Sequence, residues 1–102
     1  MTNALNSRRT IEELKALRAL TGDENGAQRV AFTPVWVKAR KFLRQRFDGL
    51  PVEIAEDAAG NLWATLRGDS EKELLIGGHI DSVPNGGWLD GCLNTLAGVE
   101  VL

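Results

Sequence analysis

One stretch narrows the possibilities for this chain more than any other: LLIGGHIDSVPNGGWLDGCLNTL, from Leu74 to Leu96. It joins a short apolar run (Leu74, Leu75, Ile76) to the single histidine, His79, and then to Asp81. A Pro- and Gly-rich loop follows, and Asp90-Gly91 opens a new helical pattern. A strand that delivers a ligand-type side chain into a loop and then a helix is how α/β folds present chemistry at the carboxyl edge of a sheet. The pattern predicts a strand over Glu73 to His79, central and covered on both faces, because the Leu-Leu-Ile run is continuous rather than alternating. Gly77-Gly78 inside it permits close backbone or ligand approach.

The residue types predict half of a metal site. A neutral imidazole is the commonest protein ligand for zinc-like ions, and its other ring nitrogen normally donates to a carboxylate that fixes the tautomer and raises ligand basicity. On an extended backbone, residues i and i+2 share a face. His79 and Asp81 are therefore expected on one side and Ile80 on the other, with Asp81 orienting the imidazole. Asp90 is the candidate oxygen ligand. At a helix start its carboxylate is expected to be held, ionised, by free backbone N–H groups. Asp90 follows His79 by eleven positions, chain enough to bring both side chains to one point.

Plainer readings stand beside each of these. His79 is also a candidate hydrogen-bonded structural residue, Asp81 a turn starter before Ser82-Val83-Pro84, and Asp90 a helix cap. Cys92 with His79 is a further pair to weigh, because a nearby imidazole can activate a thiolate. No recognised nucleophile motif surrounds Cys92, which falls where a packed helix residue is expected. No GxGxxG or GxxxxGK[ST] phosphate loop occurs.

His79-Ile80-Asp81, followed by Ser82-Val83-Pro84-Asn85-Gly86-Gly87 and then Asp90-Gly91, resembles the M20-type metallohydrolases. The likeness is strongest to the hydantoinase/carbamoylase branch, which holds N-carbamoyl-L-amino-acid hydrolases, allantoate amidohydrolases and β-ureidopropionases. It extends more loosely to Arg29 through Pro34 (RVAFTP), Gly60-Asn61-Leu62 and Leu96-Ala97-Gly98. The resemblance implies that His79 binds one metal, that Asp81 serves catalysis by orienting it, and that Asp90 bridges two metals. It implies two divalent ions in the complete enzyme, zinc first, with manganese, cobalt or nickel as alternatives. The implied reaction is hydrolysis of a C–N bond in an N-carbamoyl amino acid or a related ureido compound such as allantoate. Related members often carry Ser where Gly78 stands, and Ala-Leu-Gly-Val where this chain reads Cys92-Leu93-Asn94-Thr95. Those departures leave the ligands intact and limit the transfer of substrate identity.

At 102 residues the chain is one small domain or part of one, and a chain of this size buries about 60–65% of its unfolded surface. A net charge of −2 supplies no basic field for nucleic acid. One cysteine forms no internal disulfide, which suits a reducing compartment. No apolar run approaches the ~20 residues that span a bilayer, and the polar start MTNALNSRRT lacks a signal-peptide core. A cytoplasmic protein is the expectation.

After an N-terminal tail, Thr10 and Glu13 stand at capping-box spacing, and Ile11, Leu14, Leu17 and Leu20 recur on one helical face up to Thr21-Gly22. Asp23 to Ala31 (DENGAQRVA) reads as a connecting loop; the alternative places it near the substrate, with Arg29 a candidate anion contact. Thr33-Pro34 suits the N-cap and first position of a second helix, with Trp36, Ala39, Leu43 and Phe47 on one stripe, Val35 and Phe42 beside it, and Gly49 to close it. A hairpin is predicted from Val52-Ile54 and Leu62-Ala64-Leu66 across the turn residues of Asp57 to Asn61. Leu93, Leu96, Ala97 and Val99 predict a third helix.

The expected fold is thus α/β, the N-terminal part of a mixed-sheet metallohydrolase catalytic domain with flanking helices. Catalytic zinc usually has three protein ligands and an open position, whereas this chain offers His79, Asp90 and the supporting Asp81. Glu12, Glu13, Glu53, Glu56, Glu71, Glu73 and Glu100 lie in no motif that places them at the site. In the resembled family the general-base Glu, further ligands and a dimer-forming lid domain come after the position matching Leu102. Residues 1–102 are therefore expected to be a truncated N-terminal portion, inactive alone, of an enzyme that is a homodimer at full length. The alternatives are a non-catalytic binding or structural remnant, or an aminopeptidase-type hydrolase of the same M20 group.

Overall fold

Three helices and two small hairpins make up the chain in a computed structural model that describes residues 5–102. Helix α1 (Ser7–Thr21) begins at Asn6, whose side chain accepts from the Arg9 N–H at 3.3 Å. Such a cap stabilises a helix by about 1 kcal/mol. The expected capping box at Thr10 is not the start: Thr10 lies one turn inside and is buried. Of the predicted tail, residues 1–4 lie outside the described residues, while Ser7 to Thr10 are helical. The buried face runs through Thr10, Leu14, Leu17 and Thr21, so the stripe is rotated from the one expected, and Ile11 and Leu20 remain half exposed at its edges. Two threonines are tolerated there because they are small, and the Thr21 hydroxyl donates to the Leu17 carbonyl at 2.7 Å.

The expected connector after α1 is built, not loose. Strands β1 (Gly22–Asp23) and β2 (Gly26–Ala27) form a two-residue antiparallel hairpin. Beyond it, helix α2 (Pro34–Arg46) starts where the sequence predicts, with the Thr33 hydroxyl accepting from the Trp36 N–H and Pro34 in the first turn. It buries Ala39, Phe42 and Leu43, with Trp36 and Phe47 packed at the margin. The helix ends at Arg46, before Gly49, which adopts a φ of +81° in the following turn.

Strands β3 (Glu53–Glu56) and β4 (Leu62–Thr65) pair antiparallel in the predicted hairpin, Ile54 opposite Ala64. Asp57 organises its turn by accepting from the backbone N–H groups of Ala59 and Asn61, the Asn61 amide and the Trp63 indole. The hairpin is tied to α2 by Leu62, which packs on the core, and by Arg40 and Arg44, which both reach Glu56.

The core is one cluster shared by the three helices. Leu14 and Leu17 of α1, Ala39, Phe42 and Leu43 of α2, and Cys92, Leu96 and Val99 of α3 (Cys92–Val101) meet around Ile80. Fully burying each large apolar side chain contributes about 1.5–3 kcal/mol. Between β4 and α3, Ile80 is the one fully buried core member, and Trp88 packs against the same cluster from its margin.

The predicted central strand is also corrected. Residues 73–79 form no ladder: the two sheets, β1-β2 and β3-β4, are each two-stranded and antiparallel, and no mixed sheet occurs among the described residues. Leu74 and Leu75 are 86% and 70% exposed, and the half-exposed Ile76 lies against Gly98 of α3. A run of apolar residues specifies a central strand only when neighbouring strands and covering layers are present. The architecture is α/β with small antiparallel sheets, and no described helix is long and apolar enough to cross a membrane.

Candidate metal site

The site sits where the extended segment 77–81 meets the start of α3. Alternation places the side chains as the sequence predicts: Ile80 enters the core while His79 and Asp81 face outward, 51% and 43% exposed. Backbone contact is close on this side. A Cβ at Gly78 would stand 2.6 Å from the Gly91 carbonyl, and one at Gly91 would stand 2.4 Å from the His79 ring. Gly91 also has φ +73°, a left-handed conformation that glycine adopts without steric cost. The Thr95 hydroxyl, one turn into α3, lies 3.2 Å from the Gly91 carbonyl and 3.5 Å from that of His79. Sequence reasoning singled out Gly78 for close approach but missed Gly91 as the floor beneath the imidazole.

His79 meets both expected carboxylates. Its Nδ1 lies 3.0 Å from the Asp81 carbonyl oxygen and 3.2 Å from Asp81 Oδ1. A carbonyl oxygen only accepts, so Nδ1 carries the proton in this contact, and in the neutral ring the lone pair lies on Nε2. Nε2 is 3.6 Å from Asp90 Oδ2. That gap is too long for a hydrogen bond. It matches the spacing of two donors on one ion, since ligands held about 2.0–2.2 Å from a tetrahedral centre stand about 3.3–3.6 Å apart. The donor chemistry, one neutral imidazole nitrogen and one carboxylate oxygen, suits zinc and its neighbours.

Asp90 reaches this position without the support expected. The cap residue of α3 is Gly91, no side chain caps the helix, and the Asp90 carboxylate is 82% exposed. The Cys92 N–H is bonded instead to the Asp90 carbonyl at 2.8 Å. Among the described residues, no group of three or more His, Cys, Asp and Glu side chains gathers at metal-binding geometry. Glu53 and Glu56 are engaged by Arg67 and by Arg40 and Arg44, and Glu100 accepts from the Asn6 N–H and pairs with Arg9.

The loop from Ser82 to Leu89 is held by the segment that follows β1. Ala27 and Gly86 exchange backbone hydrogen bonds of 2.8 and 2.9 Å, and Arg29 and Ser82 bond through backbone and hydroxyl. The Gln28 side chain grips Asn85 at both ends, its Nε2 donating to Asn85 Oδ1 at 2.7 Å and its Oε1 accepting from the Asn85 N–H at 3.0 Å. Asn85 is thereby fixed at φ +53°. The Asp23 carboxylate also accepts from Gln28 Nε2, which holds its pKa below the ordinary carboxylate value.

Two side chains are reassigned. Arg29 is not exposed to an anion: it is fully buried and bonded to Ile80, Trp88 and Cys92. Cys92 is no thiolate nucleophile. It is buried, donates to the Trp88 carbonyl at 2.9 Å, and burial pushes its pKa up despite the nearby Arg29 guanidinium.

No protein-family model matches the chain. Its fold matches a crystal structure of an amidase of the hydantoinase/carbamoylase family from Burkholderia phymatum, with a TM-score of 0.79 and 32% sequence identity over 99% of this chain and 25% of that one. The chain is a homologue of the hydantoinase/carbamoylase amidohydrolases. Other relatives agree. An N-carbamoyl-L-amino acid amidohydrolase of Geobacillus stearothermophilus is 39% identical over 76% of this chain and 19% of its own length. The allantoate amidohydrolase of Escherichia coli is 35% identical over 88% of this chain and 23% of its own length. The chain thus spans about a fifth to a quarter of the hydantoinase/carbamoylase proteins it matches.

Proposed function

We propose that this chain supplies one wall of a binuclear metal site in an amidohydrolase that cleaves a C–N bond of an N-carbamoyl amino acid or a related ureido compound. The observation that carries the reading is the 3.6 Å gap between His79 Nε2 and Asp90 Oδ2, with Asp81 occupying the opposite ring nitrogen. The names of the relatives, N-carbamoyl-L-amino acid amidohydrolase and allantoate amidohydrolase, favour ureido substrates over peptides.

In this reading His79 Nε2 and one Asp90 oxygen are donors to one ion, and the second Asp90 oxygen, exposed to solvent, is available to another. Asp81 keeps the proton on Nδ1 and the imidazole plane in place. Divalent ions of this kind supply polarisation of a carbonyl and acidification of water. Gly91 and Gly78 let the backbone close under the imidazole without a side chain intruding.

Two donors and an orienting carboxylate do not complete a catalytic centre. The remaining donors and the proton acceptor are proposed to come from polypeptide corresponding to the rest of the relatives' length. The chain on its own is then a weak metal binder without turnover. The test is zinc titration of the 102-residue chain, beside assays of this chain and of a longer, full-length version on N-carbamoyl-L-amino acids and allantoate. The expected result is weak binding and activity only in the longer version. Tight stoichiometric zinc binding by the short chain, or turnover by it, would overturn the division of labour. An inactive full-length version would favour a structural role.

A further inference from the structure

We propose that Arg29 is a positioning residue for the candidate site, holding the segment that carries His79 and Asp81 and the segment that carries Asp90 in one fixed relation. The proposal rests on the metal-site reading above and concerns a side chain that the reading does not use. Three hydrogen bonds from one planar group carry it. Arg29 Nε donates to the Ile80 carbonyl at 2.5 Å, and Nη2 lies 3.2 Å from the Trp88 carbonyl and 2.8 Å from Cys92 Sγ.

These acceptors are placed pointedly. Ile80 stands between His79 and Asp81, while Trp88 and Cys92 stand two residues before and two after Asp90. One guanidinium therefore spans both arms of the site across 51 to 63 residues of sequence. The backbone of Arg29 adds a second grip on the first arm: its N–H donates to the Ser82 hydroxyl at 3.1 Å and its carbonyl accepts from the Ser82 N–H at 3.0 Å.

Packing alone does not account for an arginine here. The side chain is wholly buried, no carboxylate pairs with it among the described residues, and Nη1 has no hydrogen-bond partner. A buried cation facing only neutral acceptors is disfavoured against an apolar side chain of similar volume. What the guanidinium alone supplies is a rigid fork whose donors diverge at fixed angles toward several acceptors. Lysine has the charge without the fork, and methionine has the length without either.

The test uses the fact that His79 is the only histidine, so its ring signals in a proton NMR spectrum are unambiguous. In the zinc-free chain the ring lies against Gly91, and a nuclear Overhauser contact between the imidazole protons and the Gly91 Hα protons reports that the two arms are closed. Native chain, Arg29→Lys and Arg29→Met are compared, first without metal and then during a zinc titration followed at the same ring signals. Expected is a folded chain in all three, with the contact strong in the native, weakened in R29K and lost in R29M. The zinc midpoint should shift by about tenfold or more in R29M, the scale on which outer supporting contacts act on metal affinity. Unchanged contact and unchanged midpoint in both variants would overturn the role of Arg29. So would global unfolding of both, which would make Arg29 a general core residue. If the native contact is present but zinc leaves the ring signals unmoved, it is the underlying metal reading that has failed.

Discussion

The His79 imidazole rests on Gly91 so closely that a methyl group at position 91 would stand 2.4 Å from the ring. Gly91 also holds φ +73°, where a side chain is strained whatever the space. Gly91→Ala should therefore displace the ring and destabilise the chain by about 1–3 kcal/mol. Urea unfolding measures the second effect and the His79 ring signals the first. A variant with native ring shifts and native stability would show that the backbone here is not a fixed floor.

Asp90→Asn removes the charge while keeping the size of the side chain. Because the carboxylate is largely exposed and caps nothing, folding stability should change by less than about 0.5 kcal/mol. Zinc-induced shifts of the His79 signals should be lost. Asp81→Asn should be milder, raising the zinc concentration needed to move those signals by about 10–100-fold, since an amide oxygen can still accept from Nδ1. Equal effects of the two substitutions would contradict the roles assigned to them.

Asp57 predicts a specific acid response. Its pKa is lowered from 3.8 to about 2, first by the hydrogen bond from the Trp63 indole and then by those from Asn61. A carboxyl group depressed on folding binds its proton more readily when unfolded, so its stabilisation is complete above the ordinary value near 4 and fades as pH falls through about 2. The β3-β4 turn should hold at pH 5 and loosen between pH 4 and 2. The Trp63 indole N–H signal reports it directly, and Asp57→Ala should make that signal insensitive to this range.

Leu74 and Leu75 project into solvent beside backbone that pairs with nothing among the described residues. Replacing either with Lys should leave the melting temperature of the chain almost unchanged, within about 0.5 kcal/mol of stability. The same change should reduce self-association at high concentration, because an exposed, extended apolar segment is a template for intermolecular pairing. Leu17→Ala, in the centre of the core, should by contrast cost about 2–5 kcal/mol. Sedimentation and thermal melts distinguish the two classes.

What could be read from sequence followed from local physics. Thr33-Pro34 announced α2 because both cap functions are satisfied within four residues. The alternation of His79, Ile80 and Asp81 survived even without a sheet, since it depends on extended backbone alone and on Ile80 finding the core. Residues 73–79 depart from the expected strand because a ladder depends on partners that a run of Leu and Ile cannot specify. The face of α1 was rotated because a threonine can be buried when its hydroxyl bonds back to the helix. Arg29 was invisible for a different reason: its acceptors are two backbone carbonyls and a thiol more than fifty residues away, and no local pattern encodes them.

The pairing of Ala27 with Gly86 and of Arg29 with Ser82 makes the two segments a register, like teeth on facing racks. Extra residues at the Glu24-Asn25 tip would lengthen a solvent-facing loop and leave the meshing alone. Deleting a single residue between Ala27 and Arg29 would slip it by one tooth, turning the guanidinium to the opposite side from Ile80. Natural length variation in this protein is thus expected to concentrate at the tip and to stop abruptly at Gly26.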